Sequence, residues 1–542
     1  MFILKKPPRS HALGEPLRHD NHPRPRTRRD FIAAGFLSGP ALVMAPAWLG
    51  ALLKANRANA GAPPLDADIA PLLAAAECNV PASGVGLPFI CFDLAGGANL
   101  VGSEVIVGQQ GGQSNFLTTA GYGKLGVPGN MVPSSSANID PSLGLLWHVD
   151  GAIKRGIMSM ITPTTAAGTN GAVICAMSQN DTQTNPHNPM YGIAMAGRKG
   201  QLLQLIGTDS SVSGGNSMAP MELIVPALQP STISQPSDAT SLVPTPPGGT
   251  QDPLSVEVLE TQTRISGGTG LYNNGAGGTA AFTGALGAPN GPTPGVTLIS
   301  GATDPALKNQ VRCGYVKAVN TANQFGDPSA LDPTKDSNIT SIASKFQANA
   351  FMDNEFAKTA TVMKLVLNGL AGAGTIAMGG YDYHDGTRAT GETRNFKAGQ
   401  MIGAVLQYAS AIGVPVMIYV FSDGSLNSNS MVDNSAAGRG KLGWQGDNSS
   451  VASTFFLAYS PKGRPALRGA ASTQQIGYFT ADGSVASTSS PAANSVDSLV
   501  QVLLLNYMGL SGTDGNFSAT FPFQDLGSAS TLAGLTVFQP IV

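Results

Sequence analysis

The chain has 542 residues, 42% of them hydrophobic and only 12% charged, with a net charge of −2. That is enough apolar material for a sizeable core, in one large domain or in two or three smaller ones. The near-neutral balance gives no electrostatic basis for binding nucleic acid.

Residues 1–29 are basic and Pro-rich and run into Thr27-Arg28-Arg29-Asp30-Phe31-Ile32. An apolar segment, Phe31 to Leu53, is followed by Ala58-Asn59-Ala60, a small-x-small cleavage pattern. The segment is just long enough to span a bilayer, but Gly35, Gly39, Pro40 and Pro46 weaken its hydrophobicity. Residues 1–60 therefore read as a twin-arginine (Tat) export signal rather than an anchor. The expected partners are the Tat export machinery and cell-envelope proteins, and the expected destination is the periplasm or the exterior. No later run is apolar for the ~20 residues of a membrane span. His11, His19 and His22 leave with the leader. Cys78, Cys91, Cys175 and Cys313 fit no zinc spacing. Two disulfides are possible, but Cys91 and Cys175 lie in apolar runs that equally suit buried thiols.

Residues 61–206 read as the first part of an α/β domain. A short helix is expected near 69–77, then a buried strand from Leu87 to Asp93, with further apolar runs at Met158 to Ile161 and Ala172 to Met177. His148, beside Trp147, falls on an expected helix as a packing residue. Residues 207–303 are rich in Gly, Pro, Ser and Thr and read as an insertion, a decorated surface loop with one strand at Met221 to Val225. Residues 304–542 complete the domain. Helical periodicity covers Ser344 to Leu370, Phe396 to Ile412 and Val496 to Met508, the last capped by Asn494 or Ser495. Strands are expected at 375–378 and Val416 to Phe421. Helix and strand alternate from 344 to 423, which defines a βαβ unit and an α/β fold with a mostly parallel sheet.

Three of these strands end in acid. PFICF ends in Asp93, TIAMGGY leads to Asp382 and His384, and PVMIYVF leads to Ser422-Asp423. Ligand sites of parallel sheets lie at the carboxyl ends of the strands. If the three strands are neighbours, these groups converge. Converging carboxylates and an imidazole suit a divalent metal ion. The competing readings are a metal-free polar cluster and separate structural acids acting as caps and turn formers. His187, between two Asn-Pro elements, is equally a ligand and a passenger in a rigid turn. Its loop supplies Ser178, Thr182 and Thr184, hydroxyls of the kind used as nucleophiles in phosphoryl and sulfuryl transfer. Arg198 and Arg388 are candidates for clamping an anion. No P-loop, nucleophile elbow or dinucleotide fingerprint is present.

The Tat leader, the strand ending in Asp-Leu-Ala-Gly-Gly, the polar His loop followed by Ala196-Gly197, GGYDYH, VFSDGS and Gly443-Trp444 occur in that order. Together they resemble a Tat-exported domain-of-unknown-function family in the alkaline phosphatase/sulfatase superfamily, over residues 85–205 and 340–540. The resemblance implies a three-layer α/β sandwich with a mostly parallel central sheet. It assigns metal-ligand roles to Asp382, His384 and Asp423, then to Asp93 and His187, around a divalent ion such as zinc, manganese, magnesium or calcium. Ser178 or Thr182 would be the nucleophile. The chain departs from the family where relatives carry an Asp-His pair before Gly-Trp. Here the stretch reads Gly438-Arg-Gly-Lys-Leu-Gly443-Trp444, flanked out of register by Asp433 and Asp447, with Arg439 or Lys441 as possible cationic replacements for a metal. Two functions follow: an exported metal-dependent hydrolase of phosphate or sulfate esters, or a non-catalytic envelope binding or assembly protein with a degenerate site.

Overall fold

The computed structural model describes residues 86–133, 136–178, 185–243, 328–470 and 474–542, together with Leu72 and short helical pieces around 260 and 313–320. The leader, the expected helix at 69–77 (apart from the helical Leu72) and most of 244–327 lie outside the described residues.

The strands are β1 (Phe89–Leu94), β2 (Ile139–Asp140), β3 (Trp147–His148), β4 (Thr169–Cys175), β5 (Leu203–Gly207), β6 (Ser231–Thr232), β7 (Ala371–Met378), β8 (Val416–Phe421), β9 (Leu426–Asp433), β10 (Lys441–Asp447), β11 (Ser453–Tyr459) and β12 (Gln475–Ile476). Eight of them form one sheet in the order β12-β4-β11-β8-β1-β7-β5-β6. β11 runs antiparallel to both its neighbours, β8 and β4. The remaining seven strands all point the same way. The fold is therefore α/β with a large, mostly parallel central sheet.

β1, β7 and β8 are buried along their whole length, as parallel strands covered on both faces must be. Alternation splits their side chains between two cores. Ile90, Phe92, Leu94, Ile418 and Val420 face one side. There they meet α1 (Ala152–Met160), α2 (Ser337–Phe346), α3 (Asn354–Leu367) and α4 (Ala389–Ile412). Phe89, Cys91, Met417, Tyr419 and Phe421 face the other side and meet α5 (Val496–Leu510). Cys91 and Cys175 are buried free thiols, whereas Cys313 is disulfide-bonded.

Several expectations change in detail. The single helix expected from Ser344 to Leu370 is two, α2 and α3. The Asp353 carboxylate accepts from the Glu355 and Phe356 amides and restarts the helix, and Asn349 turns left-handed just before it, at φ 56°. α4 begins seven residues before the expected Phe396. Its first turn is capped from afar by Asp433, whose Oδ2 accepts from the amides of Arg388 (2.9 Å) and Ala389 (3.2 Å). His148 lies in β3, not in a helix. Its Nδ1 accepts from the Asp150 amide, so Nε2 donates to the Met131 carbonyl. Met221–Leu223 is a 3₁₀ turn rather than a strand. Residues 208–243 do not form a detached decoration: β6 extends the sheet, and 213–217 fold over its carboxyl edge.

α1 and α4 pack backbone to backbone. A Cβ on Gly399 would collide with the Ile153 carbonyl, and one on Gly156 with the Phe396 carbonyl. Gly399→Ala is expected to destabilise the fold by about 1–3 kcal/mol through overpacking, read as a lower urea midpoint at unchanged slope.

Candidate functional site at the carboxyl edge of the sheet

The condition for convergence is met: β1 lies between β7 and β8, parallel to both, with Asp93 opposite Ala377 and Phe421. The sequence-derived candidates nevertheless separate into three groups at different depths.

The deepest group is carboxylate only. Asp93 and Asp423 are fully buried. Asp93 Oδ2 accepts from the Ser217 amide at 2.7 Å, and Oδ1 accepts from the Ser217 hydroxyl at 3.2 Å. Asp423 Oδ1 accepts from the Gly96 amide at 3.0 Å, and Oδ2 from Asn216 Nδ2 at 3.3 Å. Burial raises the Asp93 carboxyl to about 7; the Asp423 charge adds to the rise and the Ser217 bonds oppose it. Amide and hydroxyl donors thus occupy the carboxylates that the resemblance would assign to a metal. Asp93 and Asp423 read here as a hydrogen-bonded support that ties the β1, β5 and β8 loops together.

The second group is Ser178 and His187. Ser178 Oγ lies 2.8 Å from His187 Nε2 and also accepts from Asn185 Nδ2 at 3.3 Å. The hydroxyl donates its own proton to His187 in the tautomer that carries the imidazole proton on Nδ1, and accepts from Nε2 in the other. The imidazole stacks on Phe421, 5.6 Å between ring centres. Burial holds it neutral by lowering its pKa to about 3, and its Nδ1 has no hydrogen-bond partner among the described residues. His187 is thus a partner of Ser178, not a member of the carboxylate cluster. The Ser178 amide donates to the Ser449 carbonyl, two residues beyond Asp447. Thr182 and Thr184 lie outside the described residues.

The third group is at the surface. Asp382, His384 and Asp447 each offer a ligand atom, and these atoms lie within 4.8 Å of one another. His384 Nδ1 contacts the Asp382 carboxylate directly. Two carboxylates and one imidazole fit a hard-to-borderline divalent ion. The exposed side leaves positions open for water or substrate. Of the expected ligands only Asp382 and His384 belong here. Asp447, the third, was legible only as an acid out of register. β10 breaks its register against β9 between Leu442 and Trp444 and again between Trp444 and Gly446, and such bulges re-aim the side chains that follow. Gly96 joins the deep and outer groups. Its amide holds Asp423, its φ is +128°, and a Cβ there would strike the Asp382 backbone.

The candidate cations are elsewhere. Arg198 is buried at the opposite edge, donating to the carbonyls of Gly86, Val366 and Gly372. Arg388 lies over Trp444, 4.4 Å from the ring centre, and bonds Glu392 and Ser103. Lys441 donates to Glu392 at 2.8 Å and to the Asp150 carbonyl, and Arg439 forks onto Asp150. Arg388, Lys441 and Arg439, with Glu392 and Asp150, form a separate ion network that fastens the β9–β10 hairpin to α4.

No family model, curated protein or solved structure matches the chain.

The folded chain keeps the Asp93 proton to about pH 7, whereas the ordinary value is 3.8. Between these values the folded state binds more protons than the unfolded one. This group's contribution to stability is therefore most favourable at low pH, falls as pH rises from 4 to 7, and stays low above that. Asp93→Asn is expected to remove that component, on the order of 4 kcal/mol at most. The check is urea midpoints of both proteins at pH 4.5 and pH 7.5: the variant's loss on going to the higher pH should be clearly smaller.

Proposed function

We propose that the protein is an exported, metal-dependent hydrolase of phosphate or sulfate esters, with an alkaline phosphatase-like three-layer fold. The observation that carries this reading is the clustering of Asp382, His384 and Asp447 at the carboxyl edge of a mostly parallel sheet. The GGYDYH and VFSDGS motifs support it from the sequence, and the Tat-like leader supports the periplasm or the exterior as the destination.

A divalent ion on those three ligands would polarise the ester and lower the pKa of a bound water or hydroxyl. The chain supplies the rest. Asn185 Nδ2 and His187 Nε2 both meet the Ser178 hydroxyl, and in the tautomer with Nε2 unprotonated the imidazole would take its proton as Oγ attacks phosphorus or sulfur. Attack forms the Oγ–phosphorus or Oγ–sulfur bond and expels the alcohol, and a water molecule later releases phosphate or sulfate. Loop 185–189 holds this pair in place. His187 donates its amide to the Asn185 carbonyl, and Asn188 Nδ2 donates to Thr375 Oγ1 of β7 and to the Ser213 carbonyl.

The second reading, a non-catalytic envelope binding or assembly protein, is favoured by the saturation of Asp93 and Asp423 and by the burial of Ser178. Both readings keep the outer metal ligands, so metal content alone does not separate them. Elemental analysis of the folded chain should give about one equivalent of divalent metal, lost in Asp382→Ala, His384→Ala and Asp447→Ala with no change in melting temperature. Absence of metal from the well-folded wild type would remove the metal reading. Hydrolysis of p-nitrophenyl phosphate and p-nitrophenyl sulfate then separates the two functions. Ser178→Ala is expected to lower kcat at least a hundredfold while retaining the metal. Metal without turnover in the wild type selects the binding protein.

A further inference from the structure

Along Tyr381–His384 exposure alternates: Tyr381 and Tyr383 are buried, Asp382 and His384 exposed. Successive side chains of an extended strip point to opposite sides. Whatever fixes Tyr383 therefore fixes the direction in which its two neighbours, both metal ligands, leave the strip.

Tyr383 is held at its hydroxyl. The oxygen accepts from the Asn99 amide at 3.0 Å and donates to Asn395 Oδ1, in the second turn of α4, at 3.1 Å. The orientation of that side-chain amide is set from its other end. Asn395 Nδ2 donates to the Asn99 carbonyl at 3.3 Å and to Glu104 Oε1 at 3.0 Å, so Oδ1 is the atom left to accept. Glu104 is anchored in turn: its Oε2 accepts from the Ile153 amide, at the start of α1, at 2.8 Å. Asn99, Glu104, Tyr383 and Asn395 are all buried, and removing the hydroxyl would leave a buried donor and a buried acceptor unpaired.

The ring of Tyr383 meets the strand of the third ligand. Its centre lies 6.3 Å from that of Trp444 in β10, three residues before Asp447. α4 approaches both rings where it has no side chain: a Cβ on Gly391 would lie 2.8 Å from Trp444 Nε1 and 2.9 Å from Tyr383 Cε2. One side chain thus stands against both carriers of the site, the 382–384 strip and β10.

We propose that Tyr383 is the positioning residue of the metal site, aiming Asp382 and His384 through its anchored hydroxyl and steadying β10 through Trp444, and that Asn395 acts through it. This rests on the metal-dependent reading above. Losing an outer group that orients metal ligands typically costs about 10–100-fold in metal affinity.

The test titrates manganese(II) into the full chain and follows the spin-resonance signal of the free ion, with melting temperatures measured in parallel. Tyr383→Phe keeps the ring and removes the hydroxyl, and is expected to weaken manganese binding about tenfold. Asn395→Ala should give a similar loss, and the double variant no more than either alone, because both act through one bond. Should Tyr383→Phe not fold, Asn395→Ala decides on the same readout. Tyr507→Phe is the control. It too removes a buried hydroxyl bond, to the Leu87 carbonyl at 2.9 Å in the core on the other side of the sheet, and should leave manganese affinity unchanged. Wild-type manganese affinity in Tyr383→Phe, additive losses in the double variant, or an equal loss in Tyr507→Phe overturns the assignment and leaves the metal site standing. No manganese binding by the folded wild type overturns the metal reading and the assignment with it.

Discussion

Everything at the candidate site depends on one alignment, the insertion of β1 between β7 and β8 in parallel register. Three strands pointing the same way bring three loops to one edge, and their last residues carry the acids. What the alignment does not do is put the acids at one height. Asp93 is still within its strand, Asp423 is two residues past its strand, and Asp382 is four past. The low dielectric around the first two makes backbone amides and hydroxyls their natural partners. Only the groups that clear the edge remain open to an ion or substrate.

This difference in height explains what the sequence could and could not reveal. The α/β class, the three acid-ending strands, the boundaries of β8 and the Ser495 cap were legible, because apolar runs, periodicity and capping are local signals. Cys91 and Cys175 could be read as buried thiols for the same reason. The start of α4 was not legible, since its cap is a carboxylate from another strand. Neither was Asp447, whose approach depends on two breaks in register within β10. His187 and Ser178 were singled out individually, but their contact is a product of the loop's path. Residues 213–217 were hidden by composition. A Gly/Ser-rich stretch reads as surface decoration, and here Ser217 supplies the amide and hydroxyl that hold Asp93.

The ion network beneath the hairpin has a mechanical role. Arg388, Glu392 and Lys441 are almost wholly buried, and their mutual bonds connect α4 to β10. Buried charges are costly unless every donor and acceptor is satisfied, so such a network tolerates one arrangement and penalises neighbouring ones. Trp444 strengthens the connection: its amide donates to Thr387, and its carbonyl accepts from Gly386. The hairpin and the GGYDYH strip are thereby docked as one unit, which is what a site built from Asp382, His384 and Asp447 requires.

The central place of β1 also governs how the chain can fold as it emerges from the ribosome. Its partners, β7 and β8, come far later in the chain, and the bond between Gly96 and Asp423 closes a separation of 327 residues. Until then Phe89–Leu94 is an apolar strand with both edges unpaired, the kind of segment that associates with whatever is nearby. Such long-range closure is slow. The core strand β1 and the groups at the carboxyl edge therefore depend on the same long-range closure, so the sheet centre and the site are completed together.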